Sequence, residues 1–140
     1  MGTATRLVDE GTTHYNKGDA AGFTALYSDD VILTTPDGTF QGREATRHYV
    51  QAQMNGFPDV AVTLGRRCED GDLYFGEYTV TGTNTGPIAL PDGSEMPPTG
   101  KSLEIYGTEV VQVSDGKVIK HDMLWDRQVV LEQMGLFPGP

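Results

Sequence analysis

The sequence predicts an α+β domain in which N-terminal helices cover one face of a curved antiparallel sheet. Apolar residues recur at helical spacing as far as Gly56, and from Val60 onward they alternate with period two. The chain of 140 residues matches one compact domain, 1–140, that buries roughly two-thirds of its extended surface. No internal repeat interrupts this order.

Leu7, Gly11 and Tyr15 fall at i, i+4 with Val8 and Thr12 beside them, which predicts a helix over 3–17. Gly18 suits a left-handed cap, and Asp19 suits the N-cap of a second helix, 20–27, that offers Phe23, Leu26 and Tyr27 to a core. "DDVILTTPDGTF" reads as a strand, a Pro-Asp-Gly turn and a short second strand. "GREATRHYVQAQMNGF" places Ala45, Tyr49 and Ala52 on a third helix that stops near Gly56 and Pro58. Val60, Val62 and Leu64 then alternate with smaller residues, and after the "EDGD" turn "LYFGEYTVTGT" is rich in aromatic and β-branched residues. "GPIALPDGSEMPPTG" is longer than a hairpin needs and reads as a lid, rim or interface element. "KSLEIYGTEVVQV", "SDGK" and "VIKHDMLW" form the last hairpin. Asp126 then caps a final helix carrying Val130, Leu131 and Met134, with Gly135 just past its end.

Composition narrows the function. The formal charge is −10, with 10 Lys and Arg among 20 Asp and Glu, so the basic footprint that nucleic acid or anionic membrane requires is missing. The single cysteine, Cys68, forms no intrachain disulfide and reads as an incidental thiol. No signal-like apolar segment opens the chain and no run approaches the ~18–20 residues of a membrane span, so a cytoplasmic location is expected. The histidines are far apart and lack metal-ligand spacing, no serine sits in a nucleophile elbow, and "GTNTG" lacks the context of a phosphate loop.

The order "NKGDAAGFTALYSDDV", "FQGREATRHY", "GFPDVAV", "TGTNTG", "MPPTGKSLEIYG", "SDGKVIKH" and "WDRQVVLEQMGLFP" resembles the SnoaL-like polyketide cyclases of the nuclear-transport-factor-2-like superfamily. The resemblance spans nearly the whole chain. It implies an α+β cone, a bent antiparallel sheet wrapped around helices with a deep apolar pocket, and a homodimer formed through the sheet. It also implies chemistry without a cofactor, although many members only bind or carry ligands. Aldol-closing cyclases place an acid/base aspartate two residues after the histidine matching His121, and here that residue is Met123. The family's frequent "THTG" histidine corresponds to Asn84. Related ketosteroid isomerases carry their base before a proline at the end of the first strand, where this chain has Thr35. Tyr15 matches the phenol with which those isomerases hold an oxyanion.

Strand alternation sorts the remaining candidates. Ile119, His121, Met123 and Trp125 share one mainly apolar face, expected inward, and Lys120, Asp122, Leu124 and Asp126 share the other. On the partner strand the inward set Leu103, Ile105, Gly107, Glu109, Val111 and Val113 contains one carboxylate. Glu109 and His121 would share a proton, and such a pair can take a proton α to a carbonyl or give one to an alkoxide or epoxide oxygen. Without the family likeness, both residues fit a structural polar contact as well. Tyr78, Met123 and Trp125 are expected as substrate-contacting walls, with Thr35 beside them, and Tyr74 shares the face of Tyr78. Glu77, His14, His48, Asp122 and Asp126 read as exterior or capping residues.

The expectation is therefore a cofactor-independent cyclase or isomerase acting on a small apolar oxygenated metabolite such as a polyketide intermediate, with Glu109 and His121 as acid/base pair and Tyr15 as oxyanion donor. Two alternatives stand beside it: a dimeric binding or carrier module for an apolar ligand, and an epoxide hydrolase of the limonene-epoxide type. The second needs an Asp-Arg-Asp set that the strands do not supply.

Overall fold

Capping residues bound the helices much as their spacing predicts. In the computed structural model, which describes residues 2–90 and 92–136, helix α1 spans Thr3–Asn16 and is closed by Gly18 at φ 72°. Asp19 accepts the Gly22 N–H at 2.8 Å and caps α2, Ala20–Thr24. The predicted helix 20–27 is cut short there, because Tyr27 opens strand β1, Tyr27–Thr35, and pairs with Val118 near the far end of the chain. A distant backbone pairing outweighs local helix preference at these residues. Strand β2, Gly38–Gln41, returns antiparallel to β1, and α3 runs Arg43–Gly56.

The long strands are β3, Ala61–Asp70, and β4, Leu73–Thr83, followed after the 86–100 segment by β7, Ser102–Ser114, and β8, Lys117–Trp125. Within that segment β5, Ile88–Ala89, and β6, Glu95–Met96, form a small antiparallel pair of their own. Asp115 and Gly116 take φ of 52° and 74°, as a two-residue turn of primed type between β7 and β8 requires. Asp126 accepts the Gln128 N–H at 2.9 Å and caps α4, Arg127–Gln133, after which Gly135 turns at φ 71°.

The main sheet has the order β2-β1-β8-β7-β4-β3. Its sequential strands pair antiparallel, but β1 and β8 run parallel, so the sheet is mixed where the alternation alone predicts an antiparallel one. Parallel neighbours need a long crossover. Here that crossover is most of the chain, which local pattern cannot reveal.

A bulge also revises one face assignment. Gln112 faces Lys120 while Val113 faces Val118, which leaves Ile119 as the extra residue and turns Val118, 3% exposed, inward in its place.

Long-range polar contacts pin the helices to the sheet. Glu69 on β3 accepts the backbone N–H and the hydroxyl of Thr5 at 2.6 and 2.7 Å, giving α1 the side-chain cap that Gly2 lacks. Those two bonds hold the Glu69 carboxyl below its usual range. Arg67, displaced onto the same face by the bulge in β3, pairs with Asp9 of α1. Fully buried Asn84 donates to the carbonyls of Gly56 and Gly86, both at 2.9 Å, and accepts from the Thr99 N–H and hydroxyl at 2.7 and 2.8 Å. The end of α3 and both ends of the 86–100 segment are thereby tied to one side chain.

The apolar core is divided. One cluster joins Leu7, Tyr27, Val31, Tyr74, Val111 and Val118; a second joins Ala20, Val50, Met54 and Val60; a third joins Leu103, Ile105 and Met134. All three contribute to the wall of an internal cavity. No helix among the described residues is long and apolar enough to cross a membrane.

Candidate active site

The cavity encloses about 650 Å³ between α1, α3, α4 and the concave face of the sheet, with Ile88, Leu90 and Met96 of the 86–100 segment at its rim. That volume suits a drug-sized ligand. Its wall is mostly aliphatic and aromatic, so the few polar groups in it stand out.

Glu109 and His121 both belong to the wall and are 8% and 6% exposed. The register sets Glu109 opposite Met123 and Val111 opposite His121, so the two side chains meet on a cross-strand diagonal. His121 Nε2 lies 2.7 Å from Glu109 Oε1, and its Nδ1 lies 2.5 Å from the Tyr27 hydroxyl. With Glu109 ionised the carboxylate only accepts; Nε2 then donates to it, and Nδ1 of the neutral imidazole accepts from the Tyr27 O–H. Burial, and then the charge of Glu109, push the Tyr27 phenol well above its ordinary pKa, which keeps that O–H in place as the donor. Glu109 Oε2 has no hydrogen-bond partner among the described residues.

The order Tyr27, His121, Glu109 thus leaves one reactive atom open. Both imidazole nitrogens are engaged, so His121 orients and polarises Glu109 rather than meeting a ligand directly. Glu109 Oε2 is the atom able to exchange a proton with a molecule in the cavity.

The other predicted residues divide. Tyr78, Met123 and Trp125 line the cavity. Tyr15 lines it too, but its hydroxyl donates to Gln53 Oε1 at 3.2 Å, so its donor is already in use. Burial raises the Tyr15 phenol above its ordinary value. Thr35 stands apart from the cavity wall: its hydroxyl contacts the Tyr49 hydroxyl at 3.2 Å and accepts the Asp37 N–H at 3.0 Å, so it shapes the β1–β2 turn. Asn84, at the family's histidine position, also lies outside the wall. Glu77 pairs with Arg66 and Asp122 with Lys120, both as exterior ion pairs, and His14 contacts Asp19.

Sequence reasoning missed Tyr27 as a site residue. It shares odd parity with Val31, Leu33 and Thr35, all buried, but exposed Asp29 breaks the alternation between them. Asp37, Tyr49 and Arg127 were missed as well: Tyr49 donates to Asp37 at 2.6 Å, Arg127 approaches Asp37 at 3.4 Å, and all three border the cavity. A turn residue, a helix residue and a helix start share no periodic signal. They bring one aspartate to one arginine, not the paired aspartates of an epoxide-opening set.

Comparison with known proteins fits this architecture. Comparison with curated proteins finds no match. TsrD from Streptomyces laurentii superposes with a TM-score of 0.81 at 21% identity, over 96% of this chain and 96% of that one. IdmH from Streptomyces antibioticus, provisionally described as a polyketide cyclase, gives a TM-score of 0.77 at 24% identity over 94% and 98%. AclR from Streptomyces galilaeus, provisionally described as a hydroxylase, gives 0.80 at 21% over 97% and 87%. At these identities the likeness establishes the fold. The SnoaL-like domain, however, matches residues 8–121, from the first helix through His121, and the chain belongs to that family.

Proposed function

We propose that the protein is a cofactor-independent cyclase or isomerase for a small, mainly apolar, oxygenated molecule of polyketide type. The observation that carries this reading is the buried Glu109–His121 contact of 2.7 Å in the wall of an apolar cavity. Glu109 Oε2 takes a proton from the carbon α to a carbonyl, and the C–H electron pair passes into the enolate. The enolate carbon then attacks an electrophilic carbon of the same molecule, or is reprotonated elsewhere, and the proton returns from Glu109. The His121 N–H steadies the carboxylate throughout.

The substitution at 123 supports this assignment. The position where related cyclases carry aspartate is Met123, yet its cross-strand partner is Glu109. Directly opposed side chains have Cβ atoms about 5 Å apart, so a carboxylate is retained at nearly the same place on the sheet. The family and the polyketide-related neighbours support the substrate class.

The test uses 2-tetralone, a flat bicyclic ketone with exchangeable α-protons. The protein is expected to accelerate proton–deuterium exchange at that carbon in D₂O, followed by NMR. Binding without acceleration would favour a carrier, a reading that the engagement of both His121 nitrogens and of the Tyr15 hydroxyl supports.

A homodimer formed through the outer sheet face belongs to the same proposal. Phe75, Tyr106 and Leu124 are exposed on β4, β7 and β8, to 39%, 70% and 67%, and like Cys68 they point away from the cavity. Leu124→Glu is expected to halve the sedimenting mass. A wild-type chain that sediments as a monomer sinks this part.

A further inference from the structure

Two buried phenols have no hydrogen-bond partner among the described residues: Tyr74 and Tyr78. Both lie on the inward face of β4, four residues apart, but in different surroundings. Tyr74 is packed in the solid cluster with Val31 and Val111, away from the cavity wall, and the Arg67 guanidinium partly offsets the upward push of burial on its phenol. Tyr78, 3% exposed, is part of the cavity wall, but its hydroxyl oxygen is itself covered, so donation to a ligand requires a shift of the ring. A buried O–H without a partner is costly and needs an explanation.

The sheet shows where the Tyr78 hydroxyl lies. Tyr78 is paired with Gly107 across β4 and β7, and a Cβ at 107 would collide with the phenol oxygen and ring atom Cζ. The ring therefore lies over the bare backbone of Gly107. On β8 the partner of Gly107 is Trp125, also in the wall, and the next inward residue of β7 is Glu109. Inward positions two residues apart on a strand are separated by about 7 Å. A ketone spans that distance when the base meets its α-carbon and a donor meets its carbonyl oxygen.

The geometry points to Tyr78 as the hydrogen-bond donor to the substrate's carbonyl oxygen, the position that holds the enolate oxyanion while Glu109 holds the proton. Tyr15, the residue that the family likeness suggests, is committed to Gln53, and Tyr27 is committed to His121. Tyr78 is the phenol in the wall whose donor is unspent. Burial, followed by the charges of Glu109 and Tyr15, raises its pKa and keeps it in the donor form. The inference rests on the acid–base reading above and assigns a ligand class: a flat molecule bearing a ketone or quinone oxygen at the Trp125 end of the site.

The experiment compares 2-tetralone with tetralin, which lacks the oxygen, by quenching of the single tryptophan, Trp125. Tyr78→Phe should reduce the preference for the ketone about three- to tenfold, the range of one neutral hydrogen bond. It should slow α-proton exchange about 100-fold or more, because the charge to be stabilised grows in the transition state. Its thermal midpoint should equal or exceed that of wild type, since an unpaired buried O–H is removed. Tyr74→Phe removes the same group from the same strand and should alter neither preference nor exchange. Equal preference in wild type and Tyr78→Phe, or equal loss in both variants, overturns the assignment. If wild type fails to accelerate exchange but Tyr78→Phe still lowers the ketone preference, the donor stands and only the catalytic reading fails.

Discussion

Glutamine at position 109 is expected to lower the rate of α-proton exchange on 2-tetralone by about 10²–10⁴-fold, the range of a lost general base. The amide is close in size to the carboxylate and keeps an oxygen for the His121 N–H, so the fold and the 2.7 Å contact have little reason to change. What disappears is the basicity of Oε2. Ketone binding should therefore survive while exchange does not, and the two are measured on the same sample. If Glu109→Gln exchanges as fast as wild type, catalysis by cavity shape alone becomes the better account. The register allows a stricter test, because Glu109 and Met123 are cross-strand partners. The double variant Glu109→Met with Met123→Asp returns the carboxylate to the family's usual strand and should recover part of the lost rate. Glu109→Met alone should not.

Asn84→Ala is expected to destabilise the protein by about 3–4 kcal/mol, at roughly 1 kcal/mol for each backbone or hydroxyl partner left unpaired. Its side chain joins Gly56, Gly86 and Thr99, and it is fully buried, so solvent does not readily replace those bonds. Urea unfolding should show a lower midpoint at unchanged slope, and amide exchange should rise first in the 86–100 segment. Asn84→Asp sets a buried carboxylate oxygen against the Gly56 and Gly86 carbonyls and should destabilise at least as much as Asn84→Ala. A loss below about 1 kcal/mol would mean that the segment is held from elsewhere. Because Ile88, Leu90 and Met96 rim the cavity, the same variant should also weaken ligand binding.

Helix boundaries, the β7–β8 turn and the inward set of β7 were legible in the chain because each depends on neighbours a few residues away. Asp19, Asp126 and Gly135 cap where they should, and Glu109 points inward beside His121 as alternation requires. The failures are non-local. Tyr27 left its helix for a strand because Val118 pairs with it, and Val118 displaced Ile119 because a bulge altered the parity of β8. Tyr15 lines the cavity, but its hydroxyl, expected as an oxyanion donor, is taken by Gln53 on another helix, 38 residues away. Thr35 matched a family position by order in the sequence, yet its hydroxyl serves a turn. Spacing gives the side of a strand or helix that a residue occupies; which hydroxyl is already spoken for depends on the partner that tertiary packing brings to it.

The place of β8 between β1 and β7 also sets the order in which the protein can mature. During synthesis the strands β1 and β2 emerge early and β3, β4 and β7 follow, but the two groups have no shared edge until the last hairpin leaves the ribosome. Until then β1 and β7 each carry an unpaired edge, the kind of surface that invites association with other chains. His121 and Trp125 arrive on that same final strand. The nascent chain therefore completes the cavity wall and covers the facing edges of β1 and β7 in a single late event.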